Sequence, residues 1–311
     1  MLGGLWGSVV GDALGVPVEF TTRAERDRDP VREVRGHGTY NQPPGTWSDD
    51  SSLMLCTLLS LTEHDFSLHD LGQRFVRYLT ESYLTPHGSV FDVGMVTARA
   101  MDRLRAGSLP EDAGGTSERD NGNGSLMRIL PVALRFYREP PGELVTRAHL
   151  ASRLTHGHHR SQLACGYACL LLGRLLQGDS ASAAYEHTNA QVKRIYGAAE
   201  WQTELPHFGR LLSGRIAGEP RSAIHSSGYV IHTLEASVYL LLRCDSYSQA
   251  VLAAINLGDD TDTTACVVGG MLGVRHGQES IPTEWLTPLA RRDDLSRWFA
   301  EFVNQTLGSD S

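Results

Sequence analysis

Two short runs of acids and hydroxyls have the composition of a site for a hard cation. The first run is Ser48-Asp49-Asp50, and the second is Asp259-Asp260-Thr261-Asp262-Thr263-Thr264. Mg²⁺ and Mn²⁺ prefer oxygen ligands and take about six of them, several of which are usually water. One residue of each run can also cap a helix. Because capping uses a single acid or hydroxyl and each run supplies several, we favour the metal hypothesis.

The stretches that follow the two runs predict the helices that must position them. Residues 53–61 are largely apolar, and residues 265–273 are small and rich in glycine. Glycine is a poor helix former, so we expect the second helix to pack closely against neighbouring backbone. Each acidic run would then lie at a helix N-terminus, where free N–H groups and the helix dipole stabilise carboxylates. A shared metal centre requires the fold to bring these two helix starts together.

Two further stretches contain candidate site residues. Asn121-Gly122-Asn123-Gly124-Ser125 is a glycine-rich loop before a predicted helix over residues 125–134, and such a loop can bind phosphate. Glycine loops are also common as plain turns, so this signal is weak alone. Glu19 follows a predicted helix over residues 5–16 that Pro17 ends. The local sequence leaves open whether Glu19 is a solvated turn residue or a site residue.

Three neighbouring histidines, His156, His158 and His159, raise the question of a zinc site. We expect no acid within reach of them, and Cys165 and Cys169 lie on an apolar helix face. We therefore expect one functional histidine in this stretch and no zinc.

Length and composition exclude several classes of protein. The 311 residues are 41% hydrophobic, carry a net charge of −8 and include no lysine- or arginine-rich block, which argues against indiscriminate nucleic-acid binding. We find no basic signal sequence and no apolar run of the ~20 residues that span a bilayer. The five cysteines lie in apolar segments, as buried free thiols do in a reducing compartment. We expect a cytoplasmic protein.

Apolar residues recur with helical spacing along most of the chain, and strand alternation is nearly absent. The sequence therefore predicts an all-α fold, a single compact multi-helix orthogonal bundle over residues 1–311 with a disordered tail over 305–311. The only expected strand is a short one over residues 31–34. Besides the helices already given, we expect helices over residues 67–84, 95–104, 141–155, 162–176, 181–199, 207–212, 234–242, 247–257, 282–290 and 295–307.

Residues 260–264 also fit the Asp-x-Asp-x-Thr pattern of haloacid dehalogenase-like phosphatases, in which the first Asp is a nucleophile at the end of a strand. Residues 247–257 read as a helix, and too little chain follows to build an α/β sheet. We therefore prefer the metal site to a phosphatase nucleophile.

Taken together, the motifs resemble those of the ADP-ribosylglycohydrolase family, which includes the dinitrogenase reductase-activating glycohydrolase and the ADP-ribosylarginine hydrolases. They occur in the family's order through almost the whole chain. The matching stretches are residues 11–20 (Gly-Asp-Ala-Leu-Gly-Val-Pro-Val-Glu-Phe), 47–51 (Trp-Ser-Asp-Asp-Ser), 122–128 (Gly-Asn-Gly-Ser-Leu-Met-Arg), 155–157 (Thr-His-Gly) and 258–263 (Gly-Asp-Asp-Thr-Asp-Thr).

The resemblance implies a cleft with two Mg²⁺ or Mn²⁺ ions. Its metal ligands would be Ser48, Asp49, Asp50, Asp260, Asp262 and Thr263, with Asp262 bridging. Its catalytic acids would be Glu19 and Asp92. Its substrate pocket would comprise Asn121, Gly122, Asn123, Gly124, Ser125 and His156. Family members often have Thr at the position of Ser48, and the serine keeps the hydroxyl ligand.

The activity implied by the resemblance is metal-dependent hydrolysis of the bond between ADP-ribose and a modified acceptor, which releases ADP-ribose. We expect the acceptor to be an arginine of a protein, while a serine, a nucleobase or a metabolite remains open. Nucleic acid would be a partner only if it carries the modification, and we expect no membrane partner. The alternative is a non-catalytic ADP-ribose-binding or crystallin-like structural protein on the same fold.

Overall fold

The computed structural model describes residues 1–308, and helices dominate this part of the chain. The α-helices are α1 (Leu2–Gly15), α2 (Arg23–Arg28), α3 (Asp49–Glu63), α4 (Leu68–Glu81), α5 (Met95–Arg105), α6 (Leu130–Phe136), α7 (Pro141–Arg153), α8 (His159–Leu176), α9 (Ala181–Ile195), α10 (Gly209–Leu212), α11 (Val230–Arg243), α12 (Tyr247–Ile255), α13 (Thr261–His276), α14 (Thr283–Leu286) and α15 (Arg292–Gly308). Pairing between extended segments is limited to isolated bridges within residues 1–308. The all-α prediction is confirmed, and no helix in this range is long and apolar enough to cross a membrane.

The contact between α1 and α13 is the most extensive between any two helices of residues 1–308. Glycines on the two helices face each other along it. A Cβ added at Gly7 would lie 2.3 Å from the carbonyl oxygen of Gly269, and one at Gly11 would lie 2.1 Å from that of Ala265. Only glycine permits this approach, because any side chain would overlap the opposite backbone. The glycine-rich helix therefore packs backbone to backbone, as its composition predicts.

This contact places the two acidic runs at the same end of the bundle. α13 begins beside the C-terminal end of α1, since the Thr261 hydroxyl donates to the Gly15 carbonyl at 2.8 Å. α3 packs against both α1 and α13. Both α3 and α13 are buried along most of their length, so the site rests on rigid elements.

Three expectations about local structure are wrong. Residues 31–34 form no strand, since the backbone of Val31 pairs with the side-chain amide of Asn256. The helix expected over 125–134 begins only at Leu130, because Pro131 lies in the first turn, where its missing N–H is tolerated. The helix expected over 282–290 ends at Leu286, since Pro288 cannot continue it.

The expected disordered tail over residues 305–311 also differs in part. α15 continues to Gly308, and Phe302 and Thr306 on its last turns are buried. Residues 309–311 of that expectation lie outside the described residues.

Candidate metal and active site

The start of α3 is held by a carboxylate of α1. Both oxygens of Asp12 accept the backbone N–H of Ser48, at 3.0 and 3.1 Å. Its Oδ2 also accepts the N–H of Ser51 at 3.0 Å and the Ser51 hydroxyl at 2.5 Å. These bonds satisfy free N–H groups at the helix N-terminus. Asp12 therefore fixes the position of the acids that follow Ser48, a role that sequence analysis did not assign to it.

Within this helix start, Ser48 is the capping residue. Its hydroxyl accepts the N–H of Asp50 and donates to Asp50 Oδ2, both at 3.2 Å. The Thr263 hydroxyl of α13 donates to the same Oδ2 at 3.2 Å. The first acidic run is thus joined to the second through Asp50, and the two helix starts meet as the metal hypothesis requires.

The second run brings further carboxylates to the same place. Asp260 occupies the N-cap position of α13 without a capping bond from its side chain, and its Oδ2 accepts the side-chain amide of Asn123 at 2.8 Å. Glu19, Asp260 and Asp262 each offer a carboxylate oxygen, and these oxygens all lie within 4.8 Å of one another. Three like-charged ligands at this separation can share one cation.

Several of these carboxylates have an oxygen that lacks a hydrogen-bond partner among residues 1–308. The unpartnered buried oxygens are Glu19 Oε2, Asp50 Oδ1, Asp260 Oδ1 and Asp262 Oδ2. Burial raises the pKa of Asp50 and of Asp262 well above the ordinary value, and the nearby carboxylates add to the rise. Buried carboxylates without partners are strongly destabilising unless a cation or proton neutralises them. The residues present therefore fit a divalent metal ion.

Two more acids lie next to this group. Burial, and then the charges of Asp92 and Asp260, raise the pKa of Glu19 to about 9. Burial and the charge of Asp260 raise the pKa of Asp92 to about 6. The Tyr40 hydroxyl lies near both carboxyls and lowers the pKa of each, which opposes the two rises. Tyr40 is thus a neighbour of both acids, and sequence analysis did not single it out.

A cavity of about 260 Å³ opens beside the acids. Most of the residues that sequence analysis proposed for the site line it: Glu19, Asp49, Asp50, Asp92, Gly122, Asn123, Gly124, His156, Asp260 and Thr263. Ser48 and Asp262 lie behind this wall. The Ser48 hydroxyl contacts Asp50, and an Asp262 oxygen lies within 4.8 Å of oxygens of Glu19 and Asp260. The structure therefore brings the proposed metal and catalytic residues into one place.

Asn121 and Ser125 do not line the cavity. The Asn121 side chain accepts the Ser161 hydroxyl, and the Ser125 hydroxyl accepts that of Ser152. Both side chains face the protein interior and hold the ends of the glycine loop. These contacts favour a role in anchoring the loop, and the assignment of the two residues to the substrate pocket stays a prediction.

Two segments of the site were not recognised from sequence. The segment before α11 joins the glycine-rich loop to the start of α13. The Ser226 carbonyl accepts the N–H of Asp260, and the Gly228 carbonyl accepts that of Asn123, both at 3.0 Å. Residues 94–97 line the cavity at the start of α5, which presents free N–H groups there. The Gly94 that precedes the helix pattern is the only sequence signal for the second segment.

The expectation that no acid comes near the three histidines is wrong. Glu118 and Glu204 bring carboxylate oxygens within 4.8 Å of the His158 ring. Arg160 forms an ion pair with both acids, at 3.0 Å to Glu118 and 2.8 Å to Glu204. A cation therefore already neutralises this group, and we do not assign zinc to it.

Comparisons with known proteins agree with the motif resemblance. A model of the ADP-ribosylglycohydrolase family matches residues 1–310. The chain is 30% identical to the ADP-ribosylarginine hydrolase Tri1 of Pseudomonas putida (strain GB-1), over 97% of this chain and 77% of that protein. It is 29% identical to the ADP-ribosyl dinitrogen reductase glycohydrolase of Rhodospirillum rubrum, over 93% of this chain and 89% of that protein.

A solved structure described as an ADP-ribosylglycohydrolase-related protein complex has the same fold. Its TM-score is 0.81 at 31% sequence identity, and the match covers 98% of this chain and 97% of that one. The chain is an enzyme, and it belongs to the ADP-ribosylglycohydrolase family.

Proposed function

We propose that this chain is a divalent-cation-dependent hydrolase that removes ADP-ribose from arginine side chains of modified proteins. The observation that carries the proposal is the set of carboxylate oxygens without a partner among residues 1–308, on Glu19, Asp50 and Asp260 at the cavity wall and on Asp262 behind it. A structural protein gains nothing from burying like charges that remain unpaired. The choice of arginine is supported by the activity named for Tri1 and by the acids at the cavity wall.

The ligand set would comprise Asp49, Asp50, Asp260 and Asp262 with the hydroxyls of Ser48 and Thr263, and it would hold two Mg²⁺ or Mn²⁺ ions. Bound ions of this kind polarise substrate oxygens and lower the pKa of water. The six residues come from the starts of two buried helices, which keeps their spacing constant during turnover. Asp262, whose carboxylate oxygen lies within 4.8 Å of those of Glu19 and Asp260, would be among the residues that hold the ions.

We assign proton transfer to Glu19. Its Oε2 is buried and unpartnered, and the residue lines the cavity. Bound cations would offset the nearby negative charges and favour the ionised form of Glu19. In the proposed reaction Glu19 then takes a proton from water as the water oxygen bonds to ribose C1. The bond from C1 to the guanidine nitrogen breaks, and the same carboxyl returns the proton to that nitrogen. The products are ADP-ribose and unmodified arginine.

We assign recognition of the acceptor to Asp92. Its carboxyl lies beside Glu19 on the cavity wall, and the aromatic ring that lines the same cavity belongs to Phe20. A planar guanidinium forms strong paired hydrogen bonds with a carboxylate and also packs on aromatic rings. This wall therefore supports arginine over serine, whose acceptor oxygen is neutral.

The phosphates of ADP-ribose would bind where the chain offers free N–H groups. Gly122 and Gly124 line the cavity without side chains, and so does the start of α5 at Met95. Glycine backbone and a helix N-terminus both bind phosphate oxygens.

A panel of mono-ADP-ribosylated substrates tests the choice of acceptor. Arginine-, serine- and nucleotide-linked substrates are incubated with the protein and Mg²⁺ or Mn²⁺, and released ADP-ribose is measured. We expect release from the arginine linkage alone. Release from serine but not arginine would overturn the acceptor assignment, and tight binding of ADP-ribose without any release would favour a binding protein.

A further inference from the structure

His156 belongs to a chain of hydrogen bonds that leads from the cavity to a buried arginine. The Thr155 hydroxyl lies 2.8 Å from His156 Nδ1, and Arg128 Nη2 donates to the same hydroxyl at 2.7 Å. Arg128 Nη2 also donates to the Ala151 carbonyl at 3.0 Å. The side chains of Arg128, Thr155 and His156 are all buried.

The direction of these bonds is set by chemistry. A guanidinium is always a donor, because its nitrogens have no free lone pair to accept with. Burial lowers the pKa of Arg128 to about 10, so the group remains charged at neutral pH. The Thr155 hydroxyl accepts from Arg128, which leaves its own hydrogen to donate. His156 Nδ1 is the acceptor within reach of that hydrogen, and this arrangement favours a lone pair on Nδ1.

The other ring nitrogen then carries the hydrogen. Burial lowers the pKa of His156 to about 3, so the ring is neutral and has one N–H, at Nε2. The Nε2 edge of the ring faces the glycine loop, since a Cβ added at Gly122 or at Gly124 would lie 3.4 Å from Nε2. No residue from 1 to 308 makes a hydrogen bond to Nε2, and His156 lines the cavity.

We propose that Arg128 and Thr155 are positioning residues that hold His156 as its Nε2–H tautomer, so that the ring donates one neutral hydrogen bond to an oxygen of the ADP-ribosyl group. The choice of ligand rests on the proposed function, whereas the tautomer does not. Arg128 is itself held in place by an aromatic ring. Its Nε and Nη1 have no hydrogen-bond partner among residues 1–308, and its guanidinium lies 4.5 Å from the ring centroid of Phe75, a cation–π contact that fixes the side chain.

The test uses Thr155→Val, which keeps the shape of the side chain and removes the hydroxyl. Thr188→Val is the matched control, because Thr188 is equally buried and its hydroxyl has no hydrogen-bond partner among residues 1–308. Thr155→Ser keeps the hydroxyl. The tautomer of His156 is measured by long-range ¹H–¹⁵N correlation in protein labelled at histidine, and the signal is assigned by its loss in His156→Gln. Affinity for ADP-ribose is measured by calorimetry in the presence of Mg²⁺.

In the wild type, in Thr155→Ser and in Thr188→Val we expect a single neutral tautomer with the proton on Nε2. In Thr155→Val we expect a population with the proton on Nδ1 and a dissociation constant for ADP-ribose raised about tenfold, the effect of losing one hydrogen bond. A proton on Nδ1 in the wild type would overturn the proposal.

Two other outcomes would also overturn it. In one, Thr155→Val keeps the wild-type tautomer, so the hydroxyl does not direct the proton. In the other, the tautomer shifts and the affinity stays the same, so Nε2–H does not bind the ligand. Failure to hydrolyse arginine-linked ADP-ribose would contradict the proposed function alone, because the tautomer is measured without substrate.

Discussion

At the scale of single residues, the site depends on how each buried carboxylate is satisfied. Asp12 is saturated by donors from Ser48 and Ser51, so it serves the structure. Asp50 and Asp260 each use one oxygen for a neighbouring side chain, and the other oxygen has no partner in the described part of the chain. Asp50 and Asp260 can bind an ion because each has a carboxylate oxygen available, whereas Asp12 has none left and only positions them.

Replacing Asp12 by Asn tests this separation. An amide cannot accept from all of the same donors, so the start of α3 shifts and the ligands lose their spacing. We expect the dissociation constant for Mn²⁺ to rise about 10–100-fold, as for other residues that orient metal ligands. Titration calorimetry measures it. The control is Asp65→Asn, an exposed acid just after α3, and an unchanged affinity in Asp12→Asn would contradict the positioning role.

Glu19 and Asp92 provide a second test at this scale, because the two acids are assigned different tasks. Glu19→Gln removes proton transfer and should lower kcat about 10²–10⁴-fold with little change in KM. Asp92→Asn removes a charged partner of the guanidinium and should chiefly raise KM, about 10–100-fold. Steady-state kinetics on an arginine-linked substrate separates the two. A reversed pattern would exchange the assignments.

The sequence predicted the two acidic runs, because each combines several candidate ligands within a few residues. It did not predict the roles of Asp12 and Tyr40. Asp12 is a lone acid in an apolar helix, and its partner Ser48 lies 36 residues away. Tyr40 lies in a loop whose composition suggests only a turn. A contact between distant segments leaves no local pattern, so such residues become visible only in the fold.

At the scale of helices, α1 and α13 determine where the second acidic run lies. Their glycines allow backbone contact, and the Tyr247 hydroxyl donates to the Gly7 carbonyl at 2.7 Å within the same packing. Composition predicted a close-packed helix over residues 265–273. It did not identify α1 as the partner, since several segments of the chain are equally rich in small residues. Helix ends near Pro131 and Pro288 were misplaced for the local reasons given above.

Gly7→Ala tests this contact. Its Cβ would meet the Gly269 carbonyl oxygen at 2.3 Å, and backbone atoms cannot move aside without separating the helices. We expect the free energy of unfolding to fall by about 1–3 kcal/mol or more, measured in urea. Gly142→Ala on α7 has no atom within 4 Å of its Cβ and should be neutral or slightly stabilising. Equal effects of the two substitutions would contradict the account of the packing.

At the scale of the whole molecule, contacts between the two ends of the sequence support one folding unit. α1 packs on α13, and α15 packs on α3. We infer that the chain folds as a single domain, with the acids gathered at the junction of early and late segments. Gathering them opposes folding when no cation is present, because each carboxyl is drawn from water toward other negative charges.

Stability of the metal-free protein should therefore depend on pH. The pKa of Glu19 in the folded protein is about 9 and lies above the ordinary value of 4.5. The stability that the neutral carboxyl contributes is therefore complete below pH 4.5 and is lost as pH rises through 9. Between pH 7 and 8.5 we expect the free energy of unfolding to fall by about 2 kcal/mol more in the wild type than in Glu19→Gln. Urea unfolding with a chelator measures this. Parallel pH profiles would show that Glu19 keeps an ordinary pKa.

The central claim is that the carboxylates at the starts of α3 and α13 hold the divalent ions on which removal of ADP-ribose from arginine depends. Its most direct test is ADP-ribose release from an arginine-modified protein by wild type, Asp50→Ala and the exposed control Asp65→Ala, each with Mg²⁺, with Mn²⁺ and with chelator. We expect release by the wild type and the control only when metal is present. Asp50→Ala should match the chelated wild type while remaining folded by circular dichroism. Full activity of Asp50→Ala with metal, or of the wild type with chelator, would contradict the claim.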